Sequence, residues 1–524
     1  MTSTRTTADS NGKPKTDLHR NLTSGQIGMI ALSGALGTGL FLGSGATVAL
    51  AGPATILSYA LAGLLALGVV WAVAEMVTTH PLPGGHGTVT ASYVGKLGGF
   101  LGRWNLTVTA CVAMGAEVTA SATYLQRWLP WLNRGTGTVL CALFIIILNL
   151  AAVNFYGFSE YWFSMIKVVA ITVFILLGVV MITVGLPGKE ATGVHNLVDY
   201  GGFAPYGVVG ILAATCMATF SFGGIEHVSV TAAESGNPTK DFPRAAHTMI
   251  WRLLIFYIGA ISVIVMIQPW TVTAEPIHDI SHSPFVKALD AAHVPYAGDI
   301  MNAVLLVAAL SAANGCLYAA SRMIHSLGES GMAPRFAAHT SHNGAPRNAV
   351  ALASIGMLIA CVLAIVSPES AFAYLFGCAT VGILTTWTII MVSHLAFRRR
   401  RKELGLPEAM PKLWGAPYTN IAVILGCFGI MCGLWWLLPV AWYAGVPYIA
   451  ILFISYAILH RFGHMDTPKD LAMEEKLALE SATADTVDEG QATDTVADGQ
   501  VADTVAEEKA MDTLAKGQSR VEGK

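Results

Sequence analysis

Ser33-Gly34-Ala35-Leu36-Gly37-Thr38-Gly39-Leu40-Phe41 lies inside an apolar run from about residue 25 to residue 50, long enough to cross a bilayer. Gly34, Gly37 and Gly39 make a poor helix centre, each costing about 1 kcal/mol against alanine. Hydrocarbon tolerates opened backbone only where protein or a water-filled cavity satisfies the freed amides and carbonyls. The stretch therefore predicts a broken helix whose exposed backbone serves as a ligand site. Close packing is the competing reading, because Gly39 and Gly43 form a small-xxx-small pair. A nucleotide loop would need a strand before it and a βαβ unit around it, and neither pattern is present.

A second interruption bears on that choice. The apolar run from about 207 to 233 carries Phe220-Ser221-Phe222-Gly223-Gly224-Ile225-Glu226 at its middle. Two glycine-interrupted spans in corresponding positions of two halves are the best sequence pointer to a transporter site at the midplane. The breaks fall in the first and sixth spans, a spacing that implies five spans followed by five inverted ones.

Of the 524 residues, 54% are hydrophobic and 12% charged, about half the charged share of soluble domains. Twelve spans are expected, near 25–50, 54–78, 100–126, 136–154, 161–185, 207–233, 248–268, 297–324, 346–366, 371–396, 419–438 and 442–460. The fold class is an all-α polytopic membrane protein. Three regions follow: a disordered cytoplasmic arm over 1–23 without a cleaved signal pattern, a membrane domain over 24–462, and an acidic disordered cytoplasmic tail over 463–524. Lys and Arg concentrate in the even loops: Lys96 and Arg103; Lys240, Arg244 and Arg252; Arg335 and Arg347; Arg398, Arg399, Arg400, Arg401, Lys402 and Lys412. The odd loops hold Arg127, Arg134, Lys189 and Lys287. By the positive-inside rule both termini face the cytoplasm. The basic group at 398–402 reads as a topology anchor, with anionic lipid binding as the alternative.

Several features carry less. The eight cysteines lie in or beside apolar spans without a CxxC, so they read as small buried residues. Thr88 to Val94 reads as a short surface segment along the membrane. His278 and His282 are four apart, but no further metal-ligand pattern stands beside them. Asp485, Asp494, Asp503 and Asp512 recur every nine residues in the tail without the glycines of a calcium repeat.

Ionisable residues inside spans are costly and are functional candidates by default. Glu117, Lys167 and Glu226 stand mid-span; Glu75, near the inner end of its span, reads as structural. For each, a satisfied pair within the bundle is the alternative. A half-helix N-terminus suits a carboxylate and a half-helix C-terminus suits an ammonium. Two antiparallel breaks can therefore hold both ends of a zwitterion, with Phe220 and Phe222 as gating or packing side chains.

The helix 1 stretch resembles the signature of bacterial amino acid permeases of the amino acid–polyamine–organocation superfamily. Phe220 to Glu226, Ala232-Ala233-Glu234-Ser235-Gly236-Asn237-Pro238, Pro243-Arg244-Ala245, Trp251-Arg252, Pro269-Trp270, Ser283-Pro284-Phe285-Val286, Ser311-Ala312-Ala313-Asn314-Gly315 and Ala319-Ala320-Ser321-Arg322-Met323 match that family too. The resemblance covers roughly 20–460. It implies a LeuT-like five-plus-five inverted repeat with two further helices, broken helices 1 and 6, and proton-coupled uptake of an amino acid. It places the substrate carboxylate at Thr38 and Gly39 with Gly37 adjoining, and the ammonium at carbonyls of Ala35, Phe220 and Gly223. Ser221 and Glu117 complete the expected binding set. Lys167 matches a helix 5 lysine that stands in for a sodium ion and carries the proton; Glu226 matches a gating carboxylate. His86, in Pro83-Gly84-Gly85-His86-Gly87, and His227 depart from the family pattern.

The function expected is import of an amino acid, neutral or 4-aminobutyrate-like, by proton symport through alternating access. The alternatives are an exchanger of amino acids or amines, and a non-transporting amino acid sensor signalling through the tail. No HExxH, GxSxG or facing catalytic aspartates point to an enzyme. No cofactor is expected beyond the proton. The partners expected are the substrate and the lipid bilayer of the bacterial inner membrane, with no nucleic acid, the chain being a monomer or homodimer.

Overall fold

The computed structural model describes residues 25, 26, 29, 36–150, 153–187, 190–274, 283–291, 295–341, 345–367, 371–463 and 465–481. Ser33, Gly34, Ala35, His278, His282 and the nine-residue tail repeat lie outside them. The chain divides into two units, Met1–Arg399 with Glu408–Pro468, and Arg400–Pro407 with Lys469–Lys524.

Regular structure among the described residues is helical. Nine of these helices are long and apolar enough to cross a membrane, and Arg134–Leu150 and Arg347–Leu363 are shorter apolar helices. The count is below twelve partly because one of the nine, Ser44–Thr79, joins stretches the sequence divides between two spans. A 3-10 turn at Gly52–Ala54 separates them, with Gly52 at φ 60. A Cβ there would also lie 2.6 Å from Pro205 Cγ, so glycine is required twice over.

Several helices outrun the apolar stretches that announced them. Lys96–Gln126 begins four residues early and Ala297–Glu329 ends five residues late. The largest shift is at the seventh expected span. There Pro238–Arg252, a π-helical turn at Leu253–Gly259 and Ala260–Ile267 follow one another, starting ten residues before the apolar run. Proline suits the first turn of a helix, where its missing N–H has no partner to lose.

Two sequence expectations need correction. Thr88 to Val94 is not a surface segment: it belongs to the Gly85–Val94 helix, whose Gly85, His86, Gly87, Val89, Thr90 and Ala91 are buried. Its glycines allow this, since a Cβ on Gly85 would lie 2.8 Å from Ser229 Oγ. The 463–524 segment is not wholly without structure: residues 471–481 are helical. Asp470 caps that helix, accepting from the Met473 amide at 3.2 Å, and pairs with Arg400 at 2.8 Å. Burial, the largest influence, raises the Asp470 carboxyl, but Arg400 and the two amides outweigh it and hold it below the usual carboxylate range. Arg401 pairs with Glu475 in the same unit.

Glu75 has a structural set of partners, as its position suggested. Arg398 donates to both of its oxygens at 2.8 Å, the Leu413 amide donates at 2.7 Å, and His394 Nε2 stands 3.0 Å away. Arg398, Arg400 and Arg401 thus each have a carboxylate of the protein as partner. Removing one member of a buried pair strands the other, at a cost of about 3–5 kcal/mol. Glu75→Ala is therefore expected to lower the detergent Tm clearly, and an unchanged Tm would refute a structural role.

Candidate functional site

Both glycine interruptions open the backbone. At the first, Gly37 is extended (φ -118, ψ -161), a short helix runs Thr38–Phe41, and the chain turns at Leu42 and Gly43 into Ser44–Ala51. At the second, Gly207–Ala218 tightens to a 3-10 turn at Thr219–Phe222, and a further 3-10 segment runs Ile225–Glu234. Between them Gly223 takes ψ 143 and Gly224 takes φ 94, a value that favours glycine.

The two breaks touch. A Cβ on Gly39 would lie 2.7 Å from Ser221 Cα and 2.8 Å from Phe220 Cδ1. Glycine is thus needed for backbone to approach backbone, and packing and site formation are one requirement here rather than two readings. Ser221 is held from behind: Tyr257 donates to its carbonyl at 2.8 Å, and Tyr59 Oη lies 3.3 Å from its hydroxyl. Phe222 is fully buried and stacks on Tyr257 with centroids 4.4 Å apart. Phe220 instead packs on Phe376 at 4.2 Å and faces the space between the breaks.

That space is a cavity of about 30 Å³, room for a water or two. Gly37, Gly39, Glu117, Phe220, Ser221, Gly223 and Glu226 all line it, with Thr109, Ala110, Ala113, His227, Ala312, Cys316 and Ile383. The structure so gathers most of the residues singled out in sequence. Thr38 stands behind Gly37 and Gly39, buried, its amide directed at a protein carboxylate. Lys167 is fully buried outside the lining; Glu160 and Glu117 act on it as opposite charges and Arg252 as a like one. Ala35 lies outside the described residues.

The Thr38 amide donates to Glu117 Oε1 at 3.2 Å and Oε2 at 3.3 Å. The opened backbone therefore already holds a carboxylate, the protein's own. A Cβ on Gly37 would lie 2.5 Å from Glu117 Oε1, so Gly37 makes room for it. Glu226 accepts from Trp387 Nε1 at 3.2 Å through Oε2, while its buried Oε1 has no hydrogen-bond partner among the described residues. An unmet buried acceptor costs about 1–3 kcal/mol, which a donor on a ligand would offset.

The atypical histidines are neighbours across one segment. Ser229 donates to the Glu226 carbonyl at 2.8 Å, which uses its single proton. His86 Nδ1, 2.7 Å from Ser229 Oγ, must then be the donor. His227 lines the cavity on the same 3-10 segment.

Sequence reasoning missed two polar clusters. Glu234 accepts from Arg322 Nε at 3.0 Å and from Tyr318 Oη at 2.7 Å, and the guanidinium lies 3.8 Å from the Tyr318 ring centroid. Glu160 accepts from Ser311 and Asn314. The available signal was spacing: Arg322 and Tyr318 are i, i+4, and Glu160 and Lys167 are i, i+7.

Two unwound membrane helices meeting at a buried, carboxylate-lined cavity define a multi-pass membrane permease. The chain belongs to the amino acid permease family, which it matches over residues 26–468. It is 37% identical over 397 residues to the aromatic amino acid transport protein AroP of Escherichia coli (strain K12), covering 76% of this chain and 85% of that one. AroP of Salmonella typhi is 36% identical over 411 residues, covering 78% and 88%. An uncharacterized amino acid permease, YtnA of Bacillus subtilis (strain 168), is 36% identical over 409 residues, covering 78% and 87%.

Proposed function

We propose that this permease imports a neutral amino acid by proton symport through alternating access, and that an aromatic amino acid is the first substrate to try. The frame proposed is twelve spans, with two inverted sets of five and two further helices, in the bacterial inner membrane with both termini cytoplasmic. The observation that carries the reading is the Glu117 carboxylate on the Thr38 amide. A substrate carboxylate aimed at that amide meets one already there. Protonating Glu117 removes its charge and weakens its hold, since hydrogen bonds to ionised acceptors are about twice as strong as neutral ones. The substrate carboxylate then takes the amide, and proton and amino acid are bound together. Lys167, fully buried and acting on Glu117 electrostatically, holds the compensating positive charge.

At about 30 Å³ the cavity is too small for an amino acid, so the breaks must part to admit one. Ala110, Ala113 and Ile383 offer an apolar wall for the side chain, and the curated names of the AroP relatives suggest that it is aromatic.

The test is uptake of radiolabelled phenylalanine, tyrosine, tryptophan and a panel of other amino acids into proteoliposomes, with and without an inward proton gradient. Accumulation that requires the gradient is expected. Uptake driven only by internal amino acid would make the protein an exchanger, and saturable binding without uptake would make it a sensor.

A further inference from the structure

Glu160 and Lys167 lie on one face of the Val153–Thr183 helix, about 20° apart around it and about 10 Å apart along it. Helical side chains lean toward the N-terminus, so the lysine leans toward the carboxylate. Glu160 is buried. Its Oε1 accepts from Ser311 Oγ at 2.5 Å and its Oε2 from Asn314 Nδ2 at 3.2 Å, while Asn314 Oδ1 accepts from Asn149 Nδ2 at 2.6 Å. Both carboxylate oxygens receive donors from the Ala297–Glu329 helix, which fixes the carboxylate in place. The groups acting on Lys167 include Glu160, Glu117, Cys316 and the like charge of Arg252. The lysine thus has a carboxylate of the cavity wall, Glu117, and a second one, Glu160, outside the cavity lining.

We propose that Glu160 accepts the coupling proton from Lys167 and delivers it toward the cytoplasm, which makes it a proton-carrying residue of transport. This rests on the symport reading. In the step, a Lys167 N–H bond breaks and a Glu160 O–H bond forms; the neutral amine then takes the proton that Glu117 brought in with the substrate, which restores the ammonium and the Glu117 carboxylate. The acid then gives the proton to cytoplasmic water, and the carboxylate returns to its Ser311 and Asn314 donors. With the chain oriented by its Lys and Arg bias, the N-terminal end of this helix is the cytoplasmic one, and Glu160 lies on that side of Lys167.

Glu160→Gln keeps an acceptor for Ser311 but carries no exchangeable charge. Glu160→Asp keeps the carboxylate and shortens the reach. Both are assayed in proteoliposomes for gradient-driven net uptake and for counterflow exchange at equal pH, which needs no proton release. The expected result is that Glu160→Gln loses net uptake by about tenfold or more while exchange falls less than about threefold, and that Glu160→Asp regains net uptake relative to it. Equal loss in both assays, undiminished net uptake in Glu160→Gln, or an aspartate variant worse than the glutamine one would reduce Glu160 to a helix clamp and overturn the proposal. If wild-type uptake itself ignores the gradient, the symport reading fails first and the two failures are told apart.

Discussion

Lys167→Ala is expected to abolish gradient-driven accumulation, lowering net uptake by about tenfold or more. The lysine is fully buried, with Glu160 and Glu117 as the carboxylates acting on it. A charge so placed is retained only if it is paired, and removing one partner leaves the others buried without compensation. In the variant Glu117 loses the opposite charge that favours its ionised form. Glu117 would then release the Thr38 amide whether or not a proton gradient exists. The amino acid could still bind, but binding would no longer be tied to proton movement. Counterflow exchange should therefore survive better than net uptake, and substrate should still raise the detergent Tm. A variant that accumulates substrate as the wild type does, still in proportion to the gradient, would remove Lys167 from the coupling site and leave Glu117 and Glu226 as the remaining candidates.

What could be read in the sequence was what a bilayer forbids. Glycines at 37, 39, 223 and 224 in otherwise apolar runs are intelligible alone, because helix propensity and backbone satisfaction are local rules. The structure opens the backbone at these places and brings the two stretches into contact. The charges were legible as exceptions but not as partners. Glu75 was recognisable as structural from its place near a span end, yet Arg398 is 323 positions away. The Glu234 and Arg322 pair is invisible in sequence for the same reason. Glu160 was overlooked because its span was expected to begin at 161; the helix begins at Val153, and Glu160 is buried against Ser311 and Asn314. Hydropathy marks where a helix meets lipid. It does not mark where a helix continues into a polar interior, which also explains the buried Gly85–Val94 helix.

Gly39→Ala should be as damaging as any alteration of the charges, although it adds one methyl group. The added Cβ would lie 2.7 Å from Ser221 Cα and 3.0 Å from Ser221 N. These are backbone atoms, and they are pinned by Tyr257 on the Ser221 carbonyl and by Tyr59 near its hydroxyl. Relief therefore means driving the two breaks apart. Overpacking of this kind costs about 1–3 kcal/mol. Charged to the closed state alone, that strain shifts the balance between closed and open cavities by about 5- to 150-fold, and a carrier that must visit both loses turnover accordingly. Gly37→Ala meets a different atom, Glu117 Oε1 at 2.5 Å, at the end of a side chain that can swing away. It should alter substrate affinity and its pH dependence more than the turnover. Gly429→Ala, with nothing within 4 Å of the added atom, is the control for a harmless methyl group in a helix of the same protein. Initial rates normalised to the amount of protein in the membrane distinguish the three. If Gly39→Ala transports as fast as Gly429→Ala, the close approach of the two breaks is dispensable, and the site must be sought along the Glu226 side of the cavity instead.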